Sequence, residues 1–310
     1  MGTPEFGAQC LAALLGSDRF DVVAVISQPD KKVGRQQILT EPPIKQLAKQ
    51  NNTPVYQPEK IRTEVALIKE LKPELIVVAA YGQIIPQSIL EIPTYGCINV
   101  HGSLLPKYRG AACLQAPILN GDKYSGVTIM KMDAGLDTGP ILARKKIKLA
   151  KDETASSLHD KLAALGAGLL IKTLGRYTRG WIKPEKQKET EASYVKMIKK
   201  EDGHINWRKD AIEIERMIRA YNPWPGAYSY LSDEDLKINR VLFKILAVRP
   251  QPLKINKYKI GQLFLYESAL AVQCGQNALV VIKLQLEGKK VMEVDSFLRG
   301  NESIIGNVLK

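Results

Sequence analysis

Leu75-Ile-Val-Val-Ala79 is an unbroken apolar run rich in β-branched residues, and Val22-Val-Ala-Val-Ile-Ser27 is a second of the same kind. Such runs suit strands of a parallel sheet covered on both faces, where polar alternation disappears because neither face meets water. Between them the spacing predicts a helix around Pro43–Gln50, a short strand at Pro54–Tyr56 and a helix near Glu64–Leu71. Beyond them it predicts strands at Cys97–Val100 and Gly126–Met132. A long helix over Thr154–Tyr177 follows, with Leu158, Leu162, Leu165, Leu169 and Leu170 at helical spacing. Strands alternating with helices predict an α/β domain built on a doubly wound, mostly parallel, Rossmann-like sheet. One feature sits badly with that. Met1-Gly-Thr-Pro-Glu-Phe6 reads as a turn, and such a sheet ordinarily places its first strand before such a turn.

After Trp181 the composition changes. Lys183–Ala192 is charged and almost without apolar residues, so it reads as a linker. A helix at Ala211–Tyr221 then precedes strand-like runs at Ala227–Leu231, Ile238–Val248, Leu263–Tyr266 and Ala278–Leu286, which predict a small β-barrel or sandwich. The expected organisation is a first domain over 1–182, a linker over 183–204, and a smaller C-terminal β-barrel, OB-like, over 205–310. Trp224, in Asn222-Pro-Trp-Pro-Gly226, is expected as a core anchor.

The charge is uneven in sign but even in placement. The 310 residues hold 45 Lys and Arg against 32 Asp and Glu, a net +13. Residues 1–180 carry 23 basic and 16 acidic side chains, and residues 181–310 carry 22 and 16. A detachable basic tail is therefore excluded, and a polyanionic partner or a merely solvated cationic surface remains. Cys10, Cys97, Cys113 and Cys274 form no CxxC and no short metal-ligand spacing, which argues against a zinc module and suits a reducing compartment. No apolar run reaches the ~18 residues of a membrane span, and none resembles a signal peptide. The sequence has no GxGxxG, Walker loop, GxSxG or HExxH, so nucleotide, serine-hydrolase and zincin readings lose support.

Chemistry concentrates at the end of one strand. In Asn99-Val-His101 the first and third side chains of a strand project to one side, and open α/β sheets bind ligands beyond the carboxyl ends of their strands. An amide and an imidazole there can both donate to a developing oxyanion. The alternative is a histidine packed against backbone partners. Gly102-Ser-Leu-Leu-Pro106 follows, stiffened by Pro106 and able to wall a flat ligand. Met132-Asp-Ala-Gly-Leu-Asp-Thr-Gly139 offers two carboxylates among glycines. A carboxylate near His101 would raise its proton affinity, while Asp133 and Asp137 can equally be turn residues.

Taken in order, Asn99–Ala112 (NVHGSLLPKYRGAA) and Met132–Gly139 (MDAGLDTG) closely resemble the folate-dependent formyltransferase family. The resemblance extends to GTPEF at 2–6, SQPDKKVGR at 27–35, VVAAYGQIIP at 77–86, ASYVKMIKKEDGHINW at 192–207, IRAYNPWPGAY at 218–228 and GKKVMEVDSFLRG at 288–300. It implies transfer of a formyl group from 10-formyltetrahydrofolate to an amine, with Asn99, His101 and Asp137 as the catalytic trio. Ser103, Leu104, Leu105 and Pro106 match the family's folate-site signature, and Tyr81 and Gly82 open the segment that lines the pterin pocket. No metal is implied. The basic segment with Lys31, Lys32 and Arg35 resembles the loop by which one branch engages the acceptor stem of tRNA. In that branch the acceptor is methionine esterified to initiator tRNA, and the product serves translation initiation. Lys254, Lys257 and Lys259 are candidates for phosphate contact alone.

The resemblance also implies a cytoplasmic monomer without membrane contact. Two other readings remain: a relative formylating an amino sugar or small ribonucleotide amine, and a non-catalytic RNA-binding relative. The chain departs from the family in lacking the apolar strand before GTPEF, whose two neighbours would lose a pairing partner. It also carries Cys113 where relatives often have proline.

Overall fold

The computed structural model describes residues 1–34, 36–233 and 238–310. The chain divides into two compact units, one of residues 1–113, 124–148 and 159–196, the other of 114–123, 149–158 and 197–310. The second unit thus takes in two short pieces from within the expected first domain. One of them holds a helix, Gln115–Leu119, that packs on a helix at Ala211–Ala220. Sequence distance does not reveal such packing.

The turn-like opening leads straight into α1 (Glu5–Leu15), capped by Pro4 and carrying Glu5 where an acidic side chain complements the helix dipole. Then come β1 (Val25–Ile26), β2 (Lys31–Val33), β3 (Ile38–Thr40), α2 (Pro43–Gln50) and β4 (Val55–Tyr56). The run continues with α3 (Val65–Glu70), β5 (Ile76–Val78), α4 (Gln87–Leu90), β6 (Cys97–His101), β7 (Arg109–Gly110), α5 (Gln115–Leu119), β8 (Tyr124–Lys131), β9 (Ile141–Lys148) and α6 (Ala155–Tyr177). β1 pairs with β4 and β5 with β6 in parallel, whereas β8 adds to β6 and β9 to β8 antiparallel, giving the order β5-β6-β8-β9. The sheet is therefore mixed. The sequence reading missed β9 because Arg144, Lys145, Lys146 and Lys148 mask its apolar start. Charged side chains of that kind suit an edge strand, where they discourage further pairing.

Met1–Gly2 links β1 and β5. Gly2 bridges Ala79 and its N–H donates to the Ile26 carbonyl at 3.0 Å. A Cβ on Gly2 would lie 2.7 Å from the Ala79 oxygen, so only glycine fits this approach. The Met1 amine donates to the Val77 carbonyl at 2.7 Å, and burial lowers its pKa to about 6. A cavity of about 540 Å³ lies alongside, walled by residues of α1, by Val22–Ile26 and by Leu75–Val77. None of Asn99, His101 and Asp137 lines it.

In the second unit, α7 (Ala211–Ala220) starts at Asp210, whose Oδ1 accepts the Ile212 N–H at 3.0 Å. Together with β10 (Tyr194–Val195) of the first unit, the remaining elements are β11 (Ala227–Asp233), β12 (Ile238–Val248), β13 (Leu263–Tyr266), β14 (Ala269–Gln273), β15 (Ala278–Leu286), β16 (Met292–Glu293) and α8 (Val294–Leu298). They form an antiparallel sheet in the order β11-β12-β15-β14-β13, with β16 against β15. Among the described residues no closed barrel is detected: the end strands β11 and β13 do not pair with each other, but the tail at 306–310 hydrogen-bonds to both, Lys310 with Tyr230 on one side and Leu309, Asn307 and Gly306 with Gly261 and Leu263 on the other.

One core, including Ile214, Ile218, Phe243, Val281 and Phe297, fills this unit. Its indole is Trp207, whose Nε1 donates to Ser229 Oγ at 2.9 Å. Trp224 is not a core anchor: it is 55% exposed in the turn after α7, where the flanking prolines hold it outward. No helix among the described residues is long and apolar enough to cross a membrane.

Candidate active site

β6 ends beside β5, with Val78 opposite Asn99, so the segments after both strands lie at neighbouring carboxyl ends. On β6 itself Asn99 and His101 project to one side, as the period of two requires. The Asp137 loop meets them there. Asn99 Nδ2 donates to Asp137 Oδ1 at 3.3 Å, and His101 Nδ1 lies 3.7 Å from Asp137 Oδ2. The three residues named from sequence are thus brought together. Asp133 is not with them: its Oδ1 accepts from the Gly135 N–H at 3.1 Å and the Thr138 hydroxyl at 2.7 Å, which makes it the turn residue of its loop.

His101 is 6% exposed, and its Nε2 is 3.0 Å from the Tyr108 carbonyl oxygen. A carbonyl only accepts, so Nε2 bears the proton and Nδ1 is the nitrogen that faces Asp137. The alternative of a backbone-bonded histidine is therefore half right, since one ring edge is structural and the other is turned to the carboxylate. Burial alone would push the imidazole's pKa down. The Cys113 sulfur, the Asp137 carboxylate and the Tyr108 carbonyl outweigh it, and the pKa rises to about 9. When protonated, the ring carries an Nδ1–H beside the Asn99 amide.

The loop after β6 is stitched to β8. Thr128, opposite His101, donates its hydroxyl to the Ser103 carbonyl at 2.7 Å and accepts the Leu105 N–H at 3.0 Å. Ser103 Oγ donates to the Lys107 carbonyl at 2.6 Å, and Pro106 follows a cis peptide. Leu105 packs fully buried against Met130 and Ile141. Its side chain is core, so of the Leu104–Leu105 pair only Leu104 is left partly exposed to face a ligand. Likewise Tyr81 lies in the core with Ile61, Ile68 and Ile89, and its buried hydroxyl has no partner among the described residues. Its carbonyl accepts from Thr3 Oγ1 and Gln28 Nε2, while Gly82 at φ +82° turns the chain back. These two segments present loops rather than the named apolar side chains.

Lys31 and Lys32 sit exposed on β2, paired with β3 in a two-stranded hairpin whose Val33, Ile38 and Leu39 are exposed as well. Just before it, Asp30 accepts from Lys45 Nζ at 2.9 and 2.8 Å and from Gln57 Nε2 at 2.8 Å. Arg35 lies outside the described residues.

What the sequence reading missed are the groups that hold the trio. Asp137 Oδ2 accepts the Gly110 N–H at 2.8 Å. Residues 185–195, read as linker, run along the first unit: Glu185 pairs with Ile141, and β10 pairs with β7. Gln187 in this strap reaches the Asp137 loop. No sequence signal marks Gln187 among the charges around it. Arg109, 1% exposed, bonds Gln187, Glu189 and the Tyr194 hydroxyl.

Known proteins match the chain over its whole length. Residues 1–174 match the model of the formyl transferase family, and residues 197–302 match that of the formyl transferase C-terminal domain. A protein of Caldanaerobacter subterraneus subsp. tengcongensis named methionyl-tRNA formyltransferase is 44% identical over 100% of this chain and 98% of its own length. One of the same name from Lachnospira eligens is 46% identical, again over 100% and 98%. In fold the chain is similar to a sugar 3N-formyl transferase solved with dTDP and 5-N-formyl-THF (TM-score 0.62, 23% identity, 93% of this chain and 97% of that one). By the family models and the full-length relatives, the chain belongs to the formyl transferase family.

Proposed function

We propose that the protein transfers the formyl group of 10-formyltetrahydrofolate to the amino group of initiator methionyl-tRNA, giving formylmethionyl-tRNA for translation initiation. The observation that supports this most is the meeting of Asn99, His101 and Asp137 at a strand end, in a chain whose 44–46% identical relatives over nearly their full length bear the name methionyl-tRNA formyltransferase. The solved relatives with folate compounds bound support a folate donor.

In this reading the methionine amine attacks the formyl carbon and the carbonyl oxygen becomes an oxyanion. Asn99 Nδ2–H and His101 Nδ1–H donate to that oxygen, because His101 Nε2–H is committed to the Tyr108 carbonyl. Asp137 holds the imidazolium and takes the proton the amine releases, directly or through a water. The tetrahedral species then collapses by breaking the bond between the formyl carbon and the folate nitrogen, and the proton taken from the amine is delivered to that nitrogen, so tetrahydrofolate leaves neutral at the nitrogen and Asp137 is again a carboxylate. The loops at Ser103–Pro106 and Tyr81–Gly82 flank the folate, Leu104 by its side chain and Leu105 and Tyr81 by the backbone their buried side chains fix. Lys31, Lys32 and Arg35 neutralise phosphates of the acceptor stem, and the second unit, with the exposed Lys254, Lys257 and Lys259, supports the tRNA body. The excess of positive charge in both halves of the sequence fits one polyanion touching both.

Incubation of the protein with 10-formyltetrahydrofolate and methionyl-tRNA tests the reading, with formylmethionyl-tRNA as the expected product. Turnover of a free amino sugar with none of charged tRNA would overturn it.

A further inference from the structure

Asp137 holds its carboxylate on the trio from a backbone at φ +54°, a left-handed conformation that costs a non-glycine residue free energy unless its surroundings enforce it. Two groups of the first unit enforce it. One is the Gly110 N–H on the carboxylate, at 2.8 Å. The other is a single side-chain amide: Gln187 Nε2 donates to the Asp137 carbonyl at 2.8 Å and to the Gly139 carbonyl at 2.7 Å.

A primary amide has two N–H donors, and both are used on the loop. Its oxygen accepts from Arg109 Nε at 3.1 Å. Carbonyls only accept and a guanidinium only donates, so the amide has one orientation that satisfies all three partners. Arg109 is fixed in turn. Its buried guanidinium bonds both Glu189 oxygens at 2.9 Å and the Tyr194 hydroxyl at 2.6 Å. Its own backbone N–H donates to the Ser193 carbonyl at 2.8 Å, next to the Gly110 that grips the carboxylate. One strap, residues 185–195, therefore secures Asp137 at both its main chain and its side chain.

We propose that Gln187 is a positioning residue for formyl transfer. It acts through Asp137, locking the 137–139 turn so that the carboxylate stays on Asn99 and His101. The role rests on the reading of Asp137 as a catalytic residue. It assigns a catalytic consequence to a stretch that composition describes as linker. Gln187 touches neither the amide nor the imidazole that meet the substrate, so its loss moves the reacting geometry without removing a reacting group.

The test is a double-mutant cycle on the full chain with 10-formyltetrahydrofolate and methionyl-tRNA. Gln187→Met keeps the length and removes all three hydrogen bonds. Gln187→Glu keeps the acceptor for Arg109 and removes both donors. Each is expected to lower kcat about 10- to 100-fold, as loss of a residue orienting a site group typically does, with KM for both substrates within about twofold. In the Asp137→Asn background the same changes are expected to cost less than about threefold more. An unchanged kcat in a folded Gln187→Met protein, or an equal loss with and without Asp137→Asn, would overturn the proposal.

A second readout needs no substrate. NMR titration of the His101 ring follows the carboxylate's distance, and Gln187→Met is expected to move its midpoint downward; an unmoved midpoint overturns the proposal whether or not methionyl-tRNA is the acceptor. A wild-type protein inactive on methionyl-tRNA, with the His101 midpoint moved by Gln187→Met, instead overturns the acceptor assignment and leaves the strap's role supported.

Discussion

The site around His101 and the hairpin of β2 and β3 lie in the same unit and are built in opposite ways. At the site the polar groups are tied down: Tyr108 holds one nitrogen of His101, Gly110 and Gln187 hold Asp137, and Thr128 stitches the following loop. The hairpin instead exposes Lys31, Lys32, Val33, Ile38 and Leu39, with the preceding Asp30 tied down to Lys45 and Gln57. A reaction that stabilises a transient oxyanion gains from donors fixed before the charge appears, since no reorganisation then opposes it. Holding a polyanion gains from solvated charges with reach, because the main contribution is release of counterions from its backbone. Glycines show the same contrast. A Cβ on Gly139 would stand 1.9 Å from the Lys131 carbonyl oxygen, whereas around Gly34 in the hairpin nothing lies within 4 Å.

The contrast can be broken by experiment. The largest effect is expected for Asn99→Ala and His101→Ala, each lowering kcat by ~10²–10³, the usual cost of one oxyanion donor, with tRNA binding retained. A loss confined to tRNA affinity would assign these residues to recognition instead. Next comes Gly139→Ala, where the main chain must shift. A fall of several degrees in Tm is expected from overpacking of ~1–3 kcal/mol. Gly34→Ala, strained only by its φ of +74°, is expected to cost less. Equal losses would remove the distinction between a packed and an open turn.

The third effect is a pH dependence. With its pKa raised to about 9, His101 contributes stability that is complete below the ordinary histidine range near 6.5 and is lost as pH rises through about 9. The Tm gap between wild type and His101→Asn is therefore expected to shrink from pH 6.5 to 9.5, while that of Lys31→Ala stays flat. The smallest effect is on binding. Lys31→Ala with Lys32→Ala is expected to reduce the slope of log affinity for tRNA against log salt by about two, leaving folate affinity unchanged. A lowered folate affinity would refute the assignment of the hairpin.

Much of the sheet could be read in advance because burial on both faces writes itself into sequence as runs such as Leu75–Ala79. β9 was not legible, because its apolar start is short and the exposed Lys145 and Lys146 of an edge strand mask it. Asn99 and His101 were legible as a pair, since strand geometry alone puts them on one side. From the residues alone Asp137 was legible as one of two carboxylates, the family resemblance singled it out, and the hydrogen bonds of Asp133 to its own turn set the two apart physically. Trp224 was misplaced because an indole between prolines carries no mark of whether a core will form over it.

By itself, then, the sequence determined the buried strands and main helices of the first half, the family with its trio, and which strand end bears the amide and imidazole, all consequences of local periodicity and contiguous motifs. Only the tertiary structure decided which ring nitrogen of His101 is spoken for, what becomes of Asp133, and that residues 185–195 bind back to hold Asp137. Those are contacts between segments tens of residues apart, made through backbone carbonyls and N–H groups that every residue possesses, and a group common to all residues leaves no pattern in the sequence.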